Sequence, residues 1–252
     1  MRRLLAGNWK MNGLGAALAE IRALERGVAE ARPPVDIVIC PPTTLIAAAA
    51  KEAASGKIAI GGQDCHAEPS GAYTGDIAAE MLRDAGASYV IIGHSERRQY
   101  HRESDEIVSA KFRAARRAGL RPILCVGETE IERDSGRAVA VVTGQLAASI
   151  PDGAAPAQLV VAYEPVWAIG SGRTPSLDQV AEIHAAIRTY LESRFDNEGA
   201  SIRILYGGSV KPGNAAELLA VPNVGGALVG GASLKAADFL AIILAAPGAR
   251  TG

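Results

Sequence analysis

Nothing in the 252-residue chain is long and apolar enough to span a bilayer. The longest apolar run, residues 239–246, falls far short of the roughly 20 residues a spanning helix needs. The start, Met1-Arg2-Arg3, is basic, but only Leu4-Leu5-Ala6 follows before Gly7-Asn8, too little for a signal-peptide core. Cysteine is scarce. Cys40, Cys65 and Cys125 are odd in number and never in CxxC spacing, which argues against a disulfide framework and a zinc site. A reducing cytoplasm is therefore the expected location. Charge of one sign is also lacking: the net charge is −1 and basic pairs such as Arg97-Arg98 and Arg116-Arg117 read as solvated helix faces. Neither nucleic acid nor an anionic membrane is an expected partner. The first β-like run is not followed by the GxGxxG turn of a dinucleotide fold. No metal-ligand cluster stands out, so the chemistry is expected to need neither cofactor nor metal.

What the chain does have is hydrophobic residues, at 48%, enough for one large core. Short β-like runs fall at residues 4–6, 35–40, 58–60, 89–92, 123–126, 159–163, 202–206 and 227–229. Segments rich in Ala, Leu, Glu and Arg lie between them, the clearest at 14–30, 104–117, 137–149 and 178–194. Several runs are nearly all apolar, as strands buried on both faces are. Strict alternation with no linker predicts a parallel sheet with right-handed crossovers. Eight βα repeats in this length predict an α/β fold closed as a (β/α)8 barrel, one domain over residues 1–252.

Such barrels carry their chemistry at the C-terminal ends of the strands. Polar and glycine residues cluster there: Asn8-Trp9-Lys10, Gln63-Asp64-Cys65-His66, His94-Ser95-Glu96, Gly127-Glu128-Thr129, Gly207-Gly208-Ser209 and Gly230-Gly231-Ala232-Ser233. The most informative stretch follows the sixth run, which ends in one carboxylate, Glu164. Eleven residues separate it from a capping-box signal, Ser176-Leu177-Asp178-Gln179. A strand-to-helix connection usually takes about two to six. Val166, Trp167 and Ile169 are too apolar for an open solvated loop, and Pro165 and Pro175 stiffen its ends. A rigid apolar flap beside a carboxylate reads as a lid over a general base.

The glycine pairs after the last two runs let backbone N–H groups approach an anion, and that position is the usual phosphate site of this fold. His94, just past a strand and at a helix start, is expected to stay neutral and to donate a hydrogen bond to a carbonyl turning into an enolate. Lys10 supplies positive charge for a phosphate and an oxyanion. Asn8 can donate to the same oxygen, and Glu96 can position Lys10 as an ion-pair partner. Cys125 reads as packing. A base, a neutral electrophile, a cation and a phosphate cradle together define proton abstraction beside a carbonyl on a small phosphorylated substrate.

The motifs Ala6-Gly7-Asn8-Trp9-Lys10-Met11-Asn12, Gly93-His94-Ser95-Glu96-Arg97-Arg98, residues 162–174, Tyr206-Gly207-Gly208-Ser209 and Leu228-Val229-Gly230-Gly231-Ala232-Ser233 closely resemble those of the triosephosphate isomerase family, in order and spacing along the whole chain. The resemblance implies the cofactor-free interconversion of D-glyceraldehyde 3-phosphate and dihydroxyacetone phosphate, in glycolysis and gluconeogenesis. It implies catalytic roles for Glu164, His94 and Lys10 and substrate binding by Asn8 and Lys10. Backbone N–H groups near Gly170, Ser209, Gly230 and Gly231 would hold the phosphate. Ile169 would help close the lid. The over-long segment from Gln63 to Asp76, with Tyr73 and Thr74 near its tip, would insert into a second subunit of a homodimer. Thr74 would there brace Asn8, Lys10 and Glu96 of the other copy. The chain departs from the family at the lid tip, Gly170-Ser171-Gly172-Arg173, where threonine and lysine are commoner, and at Asp76, where glutamate is. Two other readings are a phosphate-binding barrel isomerase of amino-acid biosynthesis, which would not need Asn8, Lys10, His94 and the glutamate lid, and an idle barrel kept as a binding module, which would not retain all three catalytic groups.

Overall fold

The eight β-like runs become eight strands: β1 (Leu4–Asn8), β2 (Asp36–Cys40), β3 (Ala59–Gly62), β4 (Tyr89–Ile92), β5 (Arg121–Val126), β6 (Val160–Tyr163), β7 (Arg203–Tyr206) and β8 (Gly226–Val229). This is a computed structural model, and it describes residues 2–169 and 173–247. Each strand pairs in parallel with the next, and β8 returns to β1 (Leu5 beside Ala227), so the sheet closes as a barrel in sequence order. The helices are α1 (Leu18–Ala31), α2 (Ile46–Glu52), α3 (Ala79–Asp84), α4 (Ser95–Tyr100), α5 (Asp105–Arg117), α6 (Glu130–Asp134), α7 (Ala138–Ser149), α8 (Leu177–Phe195), α9 (Ala215–Ala220) and α10 (Ala236–Leu244). None among the described residues is long and apolar enough to cross a membrane.

Alternation along the strands sorts the core into two shells. Leu4, Ala6, Val38, Ile91, Ile123, Val160 and Leu205 point into the barrel. Leu5, Ile37, Ile39, Val90, Ile92 and Leu124 point outward, against Phe112, Ile183 and Phe239 of the helices. Both faces are buried, which is why the strands are continuous apolar runs. Cys40 and Cys65 are interior packing residues whose thiols burial pushes up to about 12, and Cys125 lies in the same interior.

Two boundaries differ from the sequence reading in ways that matter. β1 runs two residues beyond 4–6, so Asn8 is a strand residue at the rim. The first helix does not start at Leu14. That residue is solvent-exposed, no side chain caps the turn, and a 3-10 turn over Gly15–Ala17 precedes α1. Helices α2, α3, α4, α6 and α9 are each five to seven residues long. That is under two turns, too short for a 3.6-residue period to register.

Candidate active site

Glu164 follows directly on β6 and sits almost wholly buried at the C-terminal rim. Two glycines allow this. A Cβ on Gly127 would stand 1.7 Å from the Glu164 carbonyl oxygen, and one on Gly207 2.9 Å from Glu164 Cγ. The carboxylate is held by the loop after β4. Ser95 N–H donates to Oε2 at 3.0 Å, the Ser95 hydroxyl to Oε1 at 3.3 Å, and His94 Nε2 lies 3.0 Å from Oε1. Burial favours the neutral acid, but His94, the Ser95 N–H and the Cys125 thiol outweigh it and bring the Glu164 pKa below its usual value. The group is therefore poised as an ionised base.

His94 is the N-cap residue of α4. Its Nδ1 accepts the Glu96 N–H at 3.2 Å, which leaves the ring proton on Nε2, facing Glu164. The helix start is as expected, but the charge balance is not. Burial pushes the imidazolium down, yet the Glu164 carboxylate overcomes that and the His94 pKa is raised. The sequence alone could not place a carboxylate 70 residues away against this ring. The Glu96 N–H still opposes a second ring proton, because protonation at Nδ1 would break that bond.

Lys10 has a left-handed backbone, φ 51°, which a non-glycine residue adopts only at a cost of about 1–2 kcal/mol. Its surroundings hold it there. The Lys10 N–H donates to Asn8 Oδ1 at 3.0 Å, and Gln63 Nε2 donates to the Lys10 carbonyl at 2.8 Å. The ammonium then reaches Glu96 Oε1 at 2.5 Å. Asn8, Lys10, His94, Glu164 and Ile169 share one cavity of about 310 Å³ with Ser209, Gly230 and Gly231. Ser209 is fixed by Asn214, whose amide donates to its carbonyl at 3.1 Å. Gly230 is fixed by the Ser233 hydroxyl at 2.7 Å. Gly170, expected at the phosphate end, lies outside the described residues.

The lid base is anchored rather than loose. Val166–Ala168 form a 3-10 turn. Trp167 Nε1 and the Tyr163 hydroxyl donate to Glu128 Oε1 at 2.9 and 3.1 Å, and Glu128 is fully buried. Burial raises the Glu128 pKa. On the far side of the lid Arg173 pairs with Glu130, and the expected capping box of Ser176 and Gln179 opens α8. Thr74 is not brought into this cavity. The segment from Glu68 to Asp76 is exposed, and Tyr73 stacks on His66 with ring centroids 4.0 Å apart. A second cavity of about 540 Å³ opens beside Lys10 and Glu96, lined also by Met11, Gln63, Arg97 and Tyr100.

Sequence reasoning assigned no role to Ser95, Gln63 or Glu128, and it missed Lys211, which lines the cavity with Ser209, Gly230 and Gly231. Ser95 and Glu128 stand inside rim motifs, so their position was a usable signal. Their partners were not visible. Among the described residues there is no group of three or more His, Cys, Asp or Glu side chains arranged to hold a metal ion.

Residues 3–246 match the family model described as triosephosphate isomerase. A triosephosphate isomerase from Afipia carboxidovorans is 63% identical, with 98% of each chain covered. One from Xanthobacter flavus is 64% identical over 96% of each. The crystal structure of triosephosphate isomerase from Bartonella henselae superposes with a TM-score of 0.91 at 52% identity, covering 97% of this chain and 99% of that one.

Proposed function

The chain belongs to the triosephosphate isomerase family, and we propose that it carries out that family's reaction in glycolysis and gluconeogenesis. This is the cofactor-independent interconversion of D-glyceraldehyde 3-phosphate and dihydroxyacetone phosphate. The observation that carries the reading is the buried, ionised Glu164 in the cavity shared by Lys10, His94 and the glycine-lined phosphate end. Glu164 takes the proton from the carbon beside the carbonyl and returns it to the neighbouring carbon. Nε2–H of His94 donates to the oxygen that gains charge as the enediolate forms. The Lys10 ammonium and the Asn8 amide stabilise the same charge. Backbone N–H groups around Ser209, Gly230 and Gly231 hold the phosphate, and Lys211 adds a cation at that end. Substrate must first part Glu164 from His94, exchanging one hydrogen-bonded pair for another. The lid, anchored through Trp167, excludes the water that would let the intermediate lose phosphate.

The working form is a cytoplasmic homodimer. The segment from Gln63 to Asp76 is exposed from Glu68 onward and presents Tyr73 and Thr74 to solvent, while Met11 and Leu14, shortly after Lys10 in the chain, are 96% and 83% exposed. A second copy would cover all of these, and a two-fold axis makes the insertion into the cavity beside Lys10 and Glu96 reciprocal. Intact Glu164, His94 and Lys10 argue against an idle barrel. A coupled assay of glyceraldehyde 3-phosphate isomerisation, without added metal or nucleotide, is expected to show full turnover. Absence of turnover in folded protein would overturn the assignment.

A further inference from the structure

The barrel has a second charged mouth, opposite the catalytic rim. Asp36, Tyr89, Arg121 and Arg203 are the first residues of β2, β4, β5 and β7, so they share its N-terminal end. A cavity of about 610 Å³ opens there, lined by Val28, Pro33, Val35 and Ile37 together with Arg2, Arg32 and Lys57. Ligand pockets commonly measure about 300–1,000 Å³. One carboxylate lines it, Asp36, and that charge is already committed. Arg203 Nη1 lies 2.6 Å from Asp36 Oδ2 and Arg2 Nε 3.4 Å from Oδ1. Arg32, Lys57 and Arg121 form no ion pair among the described residues. Arg32 and Lys57 line the cavity, and Tyr89, which also lines it, stands between it and Arg121. Its hydroxyl accepts Arg121 Nη1 at 3.0 Å and Arg203 Nη2 at 3.5 Å, which leaves its own proton as a donor. Arg121 also stands over the Tyr89 ring, 5.4 Å from its centroid.

Cations at helix C-termini often only complement the helix dipole. That account fits Arg32 poorly. Its backbone N–H already caps the Val28 carbonyl, its guanidinium bonds no carbonyl among the described residues, and its φ of 49° is a left-handed conformation usually left to glycine or asparagine. Backbone strain of this kind concentrates at binding and catalytic sites.

We infer that this mouth is a second anion site, distinct from the catalytic cavity, which binds the pyrophosphate group of a small molecule. Two unpaired cations in the lining, Arg32 and Lys57, with a phenolic donor backed by Arg121, suit two adjacent phosphates. Val28, Val35 and Ile37 are buried, and the half-buried Pro33 and Ala59 offer an attached nucleoside its apolar contact. The pyrophosphate chemistry is common to inorganic pyrophosphate and a nucleoside diphosphate, so both serve as probes.

The test is calorimetric titration of inorganic pyrophosphate and of ADP into the intact protein, wild type and Arg32→Glu/Lys57→Glu, with kcat, KM and melting temperature measured alongside. Binding with a Kd of about 1 mM or tighter is expected for at least one probe, weakened about tenfold or more in the variant, with kcat and KM for triose phosphate unchanged. Tighter binding of ADP than of pyrophosphate identifies a nucleotide as the occupant, and equal binding identifies the phosphates alone as what is read. Should the charge-reversed variant fold poorly, Lys57→Gln, an exposed single change, carries the same comparison. No binding, equal binding in wild type and variant, or displacement of the probe by a catalytic-site inhibitor would overturn the inference. Loss of isomerase activity in wild type would bear on the catalytic assignment only.

Discussion

Replacing Glu164 by aspartate keeps the charge and removes one methylene, and the structure shows what that moves. In the wild type the carboxylate is fixed by three contacts, His94 Nε2 and Ser95 N at 3.0 Å and the Ser95 hydroxyl at 3.3 Å. The backbone there is tied into the barrel, with Glu164 N–H donating to the Val126 carbonyl at 2.8 Å and Gly207 N–H to the Tyr163 carbonyl at 2.7 Å, so it does not follow a shortened side chain. The carboxylate therefore withdraws by roughly 1 Å from the substrate carbon, a displacement that costs on the order of 10²-fold in rate. That corresponds to about 2.7 kcal/mol of barrier. The loss should fall on kcat, because Asn8, Lys10 and the phosphate loops are untouched and KM depends on them. The check is steady-state kinetics in both directions, together with the rate of substrate proton exchange with deuterated water. Turnover within a few-fold of wild type would refute the reasoning, because it would mean that the Glu164 carboxylate does not set the distance to the carbon.

His94 should titrate above its ordinary value in the free wild type and below it in Glu164→Gln, where burial remains and the opposing carboxylate is gone; nitrogen NMR reads both, and an unchanged pKa would remove Glu164 as the cause. His184 is wholly buried with its pKa lowered to about 4 from 6.5. The unfolded chain therefore binds more protons between those values, and stability falls as pH drops through that window. Urea melts should lose roughly 2 kcal/mol between pH 7.5 and 5, a slope that His184→Phe abolishes; an equal slope in the variant would assign it elsewhere. Replacing Pro165 and Pro175 together by glycine adds backbone freedom to the open lid. Turnover should drop and phosphate released per turnover should rise, and unchanged product partitioning would argue against a water-excluding lid. Deleting residues 68–75 should give a folded monomer with activity lower by orders of magnitude, and sedimentation showing a fully active monomer would separate the interface from the catalysis.

The fold was legible because each strand of a parallel barrel is buried on both faces, so its identity is written in consecutive apolar residues. The groups proposed as catalytic were legible for a related reason. Glu164, His94, Lys10 and Asn8 break that apolar pattern abruptly at strand ends, where nothing in the core requires them. What was hidden are properties that belong to pairs. The direction of the His94 pKa is set by a carboxylate 70 residues on in the chain, and Asp36 meets Arg203 across a separation of 167 residues. Neither element carries a local mark of its partner.

Lys10 shows the same limit at the level of the backbone. Nothing in Asn8-Trp9-Lys10 announces a left-handed residue, since lysine has no preference for that region and asparagine, two positions earlier, does. The conformation exists because two amide side chains over-determine it. Asn8 Oδ1 receives the Lys10 N–H, and Gln63, at the end of another strand, grips the Lys10 and Cys40 carbonyls together. The clamped backbone fixes where the side chain starts, and Glu96 Oε1, 2.5 Å from Nζ, holds its end. Gln63 thus ties the start of the loop from Gln63 to Asp76 to the Lys10 backbone from within the same subunit.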